Sequence, residues 1–324
     1  MRYLLYFLIM ILIAPCAAKS KRHKVAPAPK VPLPYETKED GLKICKGDPA
    51  NYRQAKLNGC RIVNLPSEKT FFVYWLPPDF KNLPDRLMMV ALHGANGSAY
   101  KTILDLLDTA RLENFALISL QWGWPKSSLT KTSKKSKKSS TERLFSDIRQ
   151  SEKQNTDPEA DLVNESHDSL DYFDYLGYET VYKAAEHALS YLMESEYGDL
   201  KSSALYCPGR AATICPALAL LDTKKQTGLY KLFISAYGYE EGTVMPELNN
   251  PLHGDLPLSL KNFYLFAGVR DSTAVDNLHQ AKRKIMELGG RIDAVRLAPE
   301  RYNGFEADPK YQREAIFFWK RNVK

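Results

Sequence analysis

From Thr70 to the C-terminus the chain alternates short, unbroken apolar runs with segments whose apolar residues recur at three- and four-residue steps. That alternation leaves few folds open. Phe71 to Leu76 and Leu87 to Leu92 are apolar throughout and Phe115 to Leu120 is apolar but for Ser119, as suits central strands buried on both faces. Between and after them, Ile103, Leu106, Leu107 and Ala110, and then Val181, Ala184, Ala185, Ala188, Leu189 and Leu192, mark the inward faces of two helices. The rhythm continues through strand Ala204 to Cys207, helix Ala211 to Leu221, and strands Leu232 to Ala236 and Phe263 to Ala267. Helix Ala274 to Leu288, strand Ile292 to Leu297 and a last helix carrying Ala315, Phe318 and Trp319 complete it. This order predicts an α/β fold with a doubly wound, mostly parallel sheet.

The alternation breaks once, over residues 125–171, a stretch far longer than ordinary connections. Its first half clusters Lys126, Lys131, Lys134, Lys135, Lys137 and Lys138 among serines; its second half, around Leu162, Val163, Leu170 and Phe173, is expected to dock as a lid. Upstream, Arg2, the apolar run Leu4 to Ala14 and the small residues Cys16-Ala17-Ala18 have the layout of a cleavable signal peptide over residues 1–18. Lys and repeated Pro over residues 19–40 describe an extended tether, which leaves residues 41–324 as the folded domain. Export to the periplasm or the exterior is therefore expected, and it permits disulfides.

Cys45 and Cys60 close a turn-rich loop ahead of the first strong strand and are the expected bridge. Cys207 and Cys215 are placed at a strand end and well inside the next helix, too far apart to bridge, and are expected as buried free thiols. The net charge of +7 is mild and sits mostly in the lysine stretch, which gives no basis for a nucleic-acid partner. It leaves open a weak contact of Lys126 to Lys138 with an envelope or membrane surface. No H-E-x-x-H or C-x-x-C spacing occurs among the histidines and cysteines, so neither a metal nor another cofactor is expected.

The segment Leu87 to Tyr100, LMMVALHGANGSAY, following FFVYWLPPDF, resembles the oxyanion loop of secreted α/β-hydrolase esterases of the polyhydroxybutyrate-depolymerase and feruloyl-esterase branch. The likeness runs over roughly residues 68–320, through Gly-Trp-Pro after the fourth strand, the helix DYLGYETVYKAAEHAL and the segment YLFAGVRDST. What it implies is an oxyanion site at His93, Gly94, Ala95 and Asn96, with the Arg210 amide as the second donor. It also implies a serine at the strand-to-helix turn, an acid at Asp271 and a histidine in the loop after the final strand.

Two of those positions depart from the pattern. The turn reads Tyr206-Cys207-Pro208-Gly209-Arg210-Ala211, with Gly209 where the serine belongs and Cys207 at the first glycine. The final loop reads Pro299-Glu300-Arg301-Tyr302-Asn303-Gly304, with Asn303 where histidine belongs, and an amide cannot accept a proton from a hydroxyl near neutral pH. Asp271 is retained, yet an aspartate opening a helix also serves as an N-cap. The expected function is an esterase-like pocket without turnover, holding a small acyl, sugar or peptide ligand. One alternative is an atypical ester hydrolase using Cys207; another is an envelope interaction protein recognising its partner through the basic insert.

Overall fold

A computed structural model describes residues 48–125, 173–194, 203–236, 257–299 and 304–323. All of these belong to one compact unit, Pro34–Lys324. The expected signal peptide, the tether, Cys45, the lysine stretch and Asn303 lie outside the described residues.

The chain enters through helix α1 (Pro49–Leu57), which Asp48 caps by accepting the Asn51 amide, with proline in the first turn where its missing N–H leaves no hydrogen bond unmade. Strands β1 (Arg61–Leu65) and β2 (Thr70–Trp75) follow, then β3 (Met88–Leu92), helix α2 (Ala99–Glu113) and β4 (Ala116–Leu120). Two three-residue strands, β5 (Gly123–Pro125) and β6 (Phe173–Tyr175), pair antiparallel as a separate ribbon. After them come α3 (Tyr178–Glu194), β7 (Ser203–Pro208), α4 (Cys215–Lys224), β8 (Tyr230–Ala236) and β9 (Asn262–Gly268). The last elements are α5 (Ser272–Glu287), β10 (Arg291–Ala298), the short α6 (Gly304–Ala307) and α7 (Pro309–Val323).

Eight strands form one sheet in the order β1-β2-β4-β3-β7-β8-β9-β10, antiparallel at β1-β2 and β2-β4 and parallel from β4 to β10. Its two faces carry separate apolar clusters. One joins the sheet to α3, α4 and α5 through residues such as Leu189, Leu218 and Leu278. The other joins it to α1, α2 and α7 through Ala55, Leu106 and Trp319. The doubly wound α/β expectation is met, and β3 and β4 are fully buried on both sides, as suits sequences in which Ser119 is the one polar residue.

One helix starts later than its sequence pattern indicates. Residues Gly209–Thr213 form a 3-10 turn, and α4 begins only at Cys215, because Pro216 lacks the N–H that an interior helical position would donate and is tolerated in the first turn. This break brings Cys207 and Cys215 together instead of apart. Both thiols are free and buried, and they hydrogen-bond to one another. Cys60 is likewise a buried free thiol, so the end of the expected Cys45–Cys60 bridge that is described carries no bond.

Distant from the β3 and β7 ends of the sheet, Asp222 at the C-terminal end of α4 is completely buried. One of its carboxylate oxygens accepts from Tyr182 Oη (2.9 Å), Thr227 Oγ1 (2.8 Å) and the Leu229 amide (2.9 Å); the other accepts from Lys261 Nζ (2.5 Å). The network ties α3, α4, β8 and the entry to β9 into one block, and every bond reaches the same carboxylate.

Candidate active site at the strand-to-helix turn

The chain leaves β3 for α2 on one face of the sheet and leaves β7 for α4 on the other. Neighbouring parallel strands whose exits diverge open a crevice at their C-terminal ends, the place where open α/β sheets hold ligands. Here the crevice is floored by two turns, Gly94 to Gly97 and Pro208 to Ala211.

Gly209 is the apex of the second turn and has φ of +49°, a left-handed conformation that glycine adopts without steric cost. A β-carbon added there meets nothing closer than Gly94 Cα at 3.7 Å and the Ala95 nitrogen at 3.9 Å. The turn that should carry a side chain thus faces the loop that should carry oxyanion donors, with ordinary contact distance between them. The Ala95 amide donates to no acceptor among the described residues. A cavity of about 510 Å³ opens on this spot, lined by Gly94, Ala95, Pro208 and Gly209 and, further out, by Lys101, Asp105 and Glu306. Lys101 is paired with Asp105 at 2.7 Å, while Glu306 accepts a hydrogen bond from the buried Tyr206 hydroxyl.

His93 does not line this cavity. Its side chain is fully buried, with Nε2 accepting from the Trp122 and Gly123 amides, each at 3.2 Å, and Nδ1 lying 2.9 Å from the Gly94 carbonyl. Two donors on Nε2 require the proton to be on Nδ1, so the ring is neutral and donates to Gly94. The Trp122 indole returns a bond to the His93 carbonyl at 2.7 Å. Burial removes the imidazolium from water and lowers the pKa of His93 from 6.5 to about 4. His93 therefore pins the end of β3 to the β4–β5 corner.

A pH dependence follows. Between about 4 and 6.5 the unfolded chain binds a proton at this site and the folded one does not, so stability is full above 6.5 and declines as pH falls through this window. Lowering the pH from 7 to 5 should remove roughly 2 kcal/mol through this group alone. Urea unfolding of wild type and His93→Asn at the two pH values measures it: the loss on acidification should be smaller in the variant by that amount. Equal losses in both proteins would show that the ring titrates normally in the native state.

Tyr175 of β6 carries no motif that would single it out in the sequence. Its hydroxyl accepts from the Asn96 amide at 3.4 Å, and its ring packs on Trp122 and lies beneath the Arg210 guanidinium at 5.4 Å. Gly123 is needed here, since a β-carbon at that position would come within 2.5 Å of the Tyr175 ring. Burial raises the Tyr175 pKa, which keeps its hydroxyl protonated. Of the expected oxyanion donors, Asn96 is thereby engaged by Tyr175, and Ala95 is the amide left facing Gly209.

Asp271 caps α5, accepting from the Ala274 amide at 3.0 Å, and its own amide donates to Gly268. The capping role is observed; Asn303, the other half of the expected acid–base pair, lies outside the described residues. Cys207 is fully buried and its thiol pKa is pushed well up by burial and by the Cys215 contact, the opposite of what an attacking thiolate needs. Ser98 Oγ caps α2 by accepting from Lys101 and donates to Asp48, which gives this hydroxyl a structural task. Among the described residues no group of three or more His, Cys, Asp or Glu side chains is arranged to hold a metal ion.

Sequence comparison finds no match to any family model and none to a curated protein. Structural comparison does. An esterase from Pyrobaculum calidifontis superposes with a TM-score of 0.52 at 13% identity, covering 90% of this chain and 96% of that one. An esterase from the fungus Rhizomucor miehei gives 0.51 at 13% identity, covering 89% and 92%. The fold is that of the α/β-hydrolases.

Proposed function

We propose that this chain is an exported α/β-hydrolase-fold protein whose esterase site no longer turns over and instead holds a small acyl, sugar or peptide ligand. Its nearest functional affinity on this reading is with the secreted polyhydroxybutyrate-depolymerase and feruloyl-esterase branch. The observation that carries the reading is Gly209: at φ +49° it occupies the apex of the turn after β7, against the Ala95 amide, and presents no side chain. In such a fold the attacking hydroxyl projects from that apex. Without nucleophile and base the walls and one oxyanion donor remain, which is enough to bind and too little to cleave.

The rival that uses Cys207 has the thiol sealed in the interior, away from the cavity lining, with its pKa moved in the wrong direction. The test is direct. Native protein should show no labelling by a fluorophosphonate above a heat-denatured control. Its hydrolysis of a short-chain nitrophenyl ester should match buffer and be indifferent to Cys207→Ser. Turnover that disappears in Cys207→Ser would establish the atypical hydrolase and end this proposal.

A further inference from the structure

The late start of α4 sets two thiols against each other beneath the candidate site. Cys207, near the end of β7, and Cys215, the first residue of α4, are both 0% exposed, and they hydrogen-bond to one another across the turn that Gly209 opens. We propose that they are a disulfide pair, cross-linked by exchange with an external disulfide as the chain folds, and that the bridge fixes the turn carrying Gly209. The inference stands whatever the cavity beside that turn binds.

The chain between the two cysteines is already closed on itself. It runs as the 3-10 turn Gly209–Thr213, in which the Thr213 hydroxyl donates to the Arg210 carbonyl at 2.8 Å and the Ile214 amide to the Ala211 carbonyl at 3.2 Å, with Ala211 and Ala212 buried. Because α4 begins only at Cys215, that side chain leaves from the head of the helix, and a thiol in hydrogen-bond contact with another already points along the future bond. Disulfide geometry is exacting, and cysteines that need backbone movement to meet bridge poorly. Here the sulfurs are in contact with the backbone as it stands.

Other uses of two thiols fit the surroundings less well. A structural zinc ion takes about four ligands, and among the described residues no group of three or more His, Cys, Asp or Glu side chains is arranged to hold a metal. A nucleophile needs access and a thiolate, whereas burial pushes the Cys207 pKa well up. That same burial decides when the bridge forms. In the unfolded chain one thiolate attacks the external disulfide and releases its first thiol; the second thiolate then attacks the mixed disulfide and releases the other. The pair loses two hydrogens, and the external disulfide, gaining them, becomes two thiols. Once the chain has folded, both sulfurs lie in the apolar cluster with Leu205, Ile214 and Phe233, so exchange in either direction waits on unfolding.

The test uses the full chain, reduced and unfolded in urea, then refolded with oxidised and reduced glutathione, alkylated with iodoacetamide in urea and digested with trypsin, which cuts after Arg210 between the two cysteines. Residues 202–210 and 211–224 should be recovered as one disulfide-linked species that reduction separates. Native reduced protein in the same glutathione buffer should form the link at least about tenfold more slowly than the refolding chain. The cross-linked protein should melt about 5 °C above the reduced protein, a difference absent in Cys215→Ser. Comparing the two redox forms of the wild type needs no variant and decides the matter if Cys215→Ser does not fold. The proposal is overturned if both cysteines are alkylated after refolding, or if either is linked to Cys45 or Cys60 instead. It is equally overturned if native protein cross-links as fast as the refolding chain, or if the cross-linked form melts no higher than the reduced one.

Discussion

In the double variant Gly209→Ser, Asn303→His, hydrolysis of a short-chain nitrophenyl ester is expected to rise on the order of a hundredfold over the wild-type background. A complete serine–histidine pair is worth about a millionfold in such enzymes, and a reinstalled pair in an unadapted site should recover only part of it. The space for the serine exists: its β-carbon would lie 3.7 Å from Gly94 Cα and 3.9 Å from the Ala95 nitrogen, ordinary contacts that place the hydroxyl beside the free amide. The backbone resists, since φ of +49° is strained for any L side chain, at about 1–2 kcal/mol. Asp271 spends a single oxygen on the α5 cap, so its second oxygen can still orient an imidazole. Gly209→Ala with Asn303→His is the control, equally strained and without a nucleophile. A folded double variant with no more activity than this control would mean that Gly209 and Asn303 do not stand where an attacking pair belongs.

Asp222→Ala should cost about 3–5 kcal/mol of stability, enough to lower the melting temperature by on the order of 10 °C. The carboxylate is completely buried, and its removal strands the Lys261 ammonium and the Leu229 amide at once, while the Tyr182 hydroxyl keeps only Thr227. The ammonium dominates, because an unpaired charge in the interior has no alternative partner. Asp222→Leu combined with Lys261→Met removes both charges and should recover part of the loss. Thermal melts of the wild type and both variants decide it; a single variant within a degree or two of wild type would mean that water reaches this site and replaces the carboxylate.

The parts of the fold that were legible in the sequence are those whose signal is local and continuous. β3 shows as an unbroken apolar run, and β4 as one interrupted only by Ser119, because both of their faces are covered. The turn at Cys207 to Ala211 shows because a strand pattern meets a helix pattern across Pro208-Gly209. α1 and β1 went unread, the first because its mean character is polar and only Ala55 is buried, the second because five residues carry too little periodicity. The late start of α4 was recoverable from Pro216 alone.

The site was legible at its glycine and illegible at its supports. Gly209 announces itself by standing where a side chain is expected. The hold of His93 on the β4–β5 corner, and the hold of Tyr175 on Asn96, link residues 29 or 30 and 79 positions apart through backbone groups that carry no sequence signature. His93 had been assigned to the cavity wall by its motif, and burial moves it behind the wall. Tyr182, Asp222, Thr227 and Lys261 meet only after three elements have packed, so their composition alone could not pair them.

The β5–β6 ribbon has a consequence for how this molecule can vary over generations. Pro125 lies directly opposite Phe173, so the polypeptide between them departs and returns at one point on the scaffold. Lengthening or shortening such an excursion changes its closure entropy only logarithmically, by about 0.6 kcal/mol for each doubling. A change in the length of that excursion therefore leaves both of its anchor points on the ribbon, and what is exchanged always emerges beside Trp124.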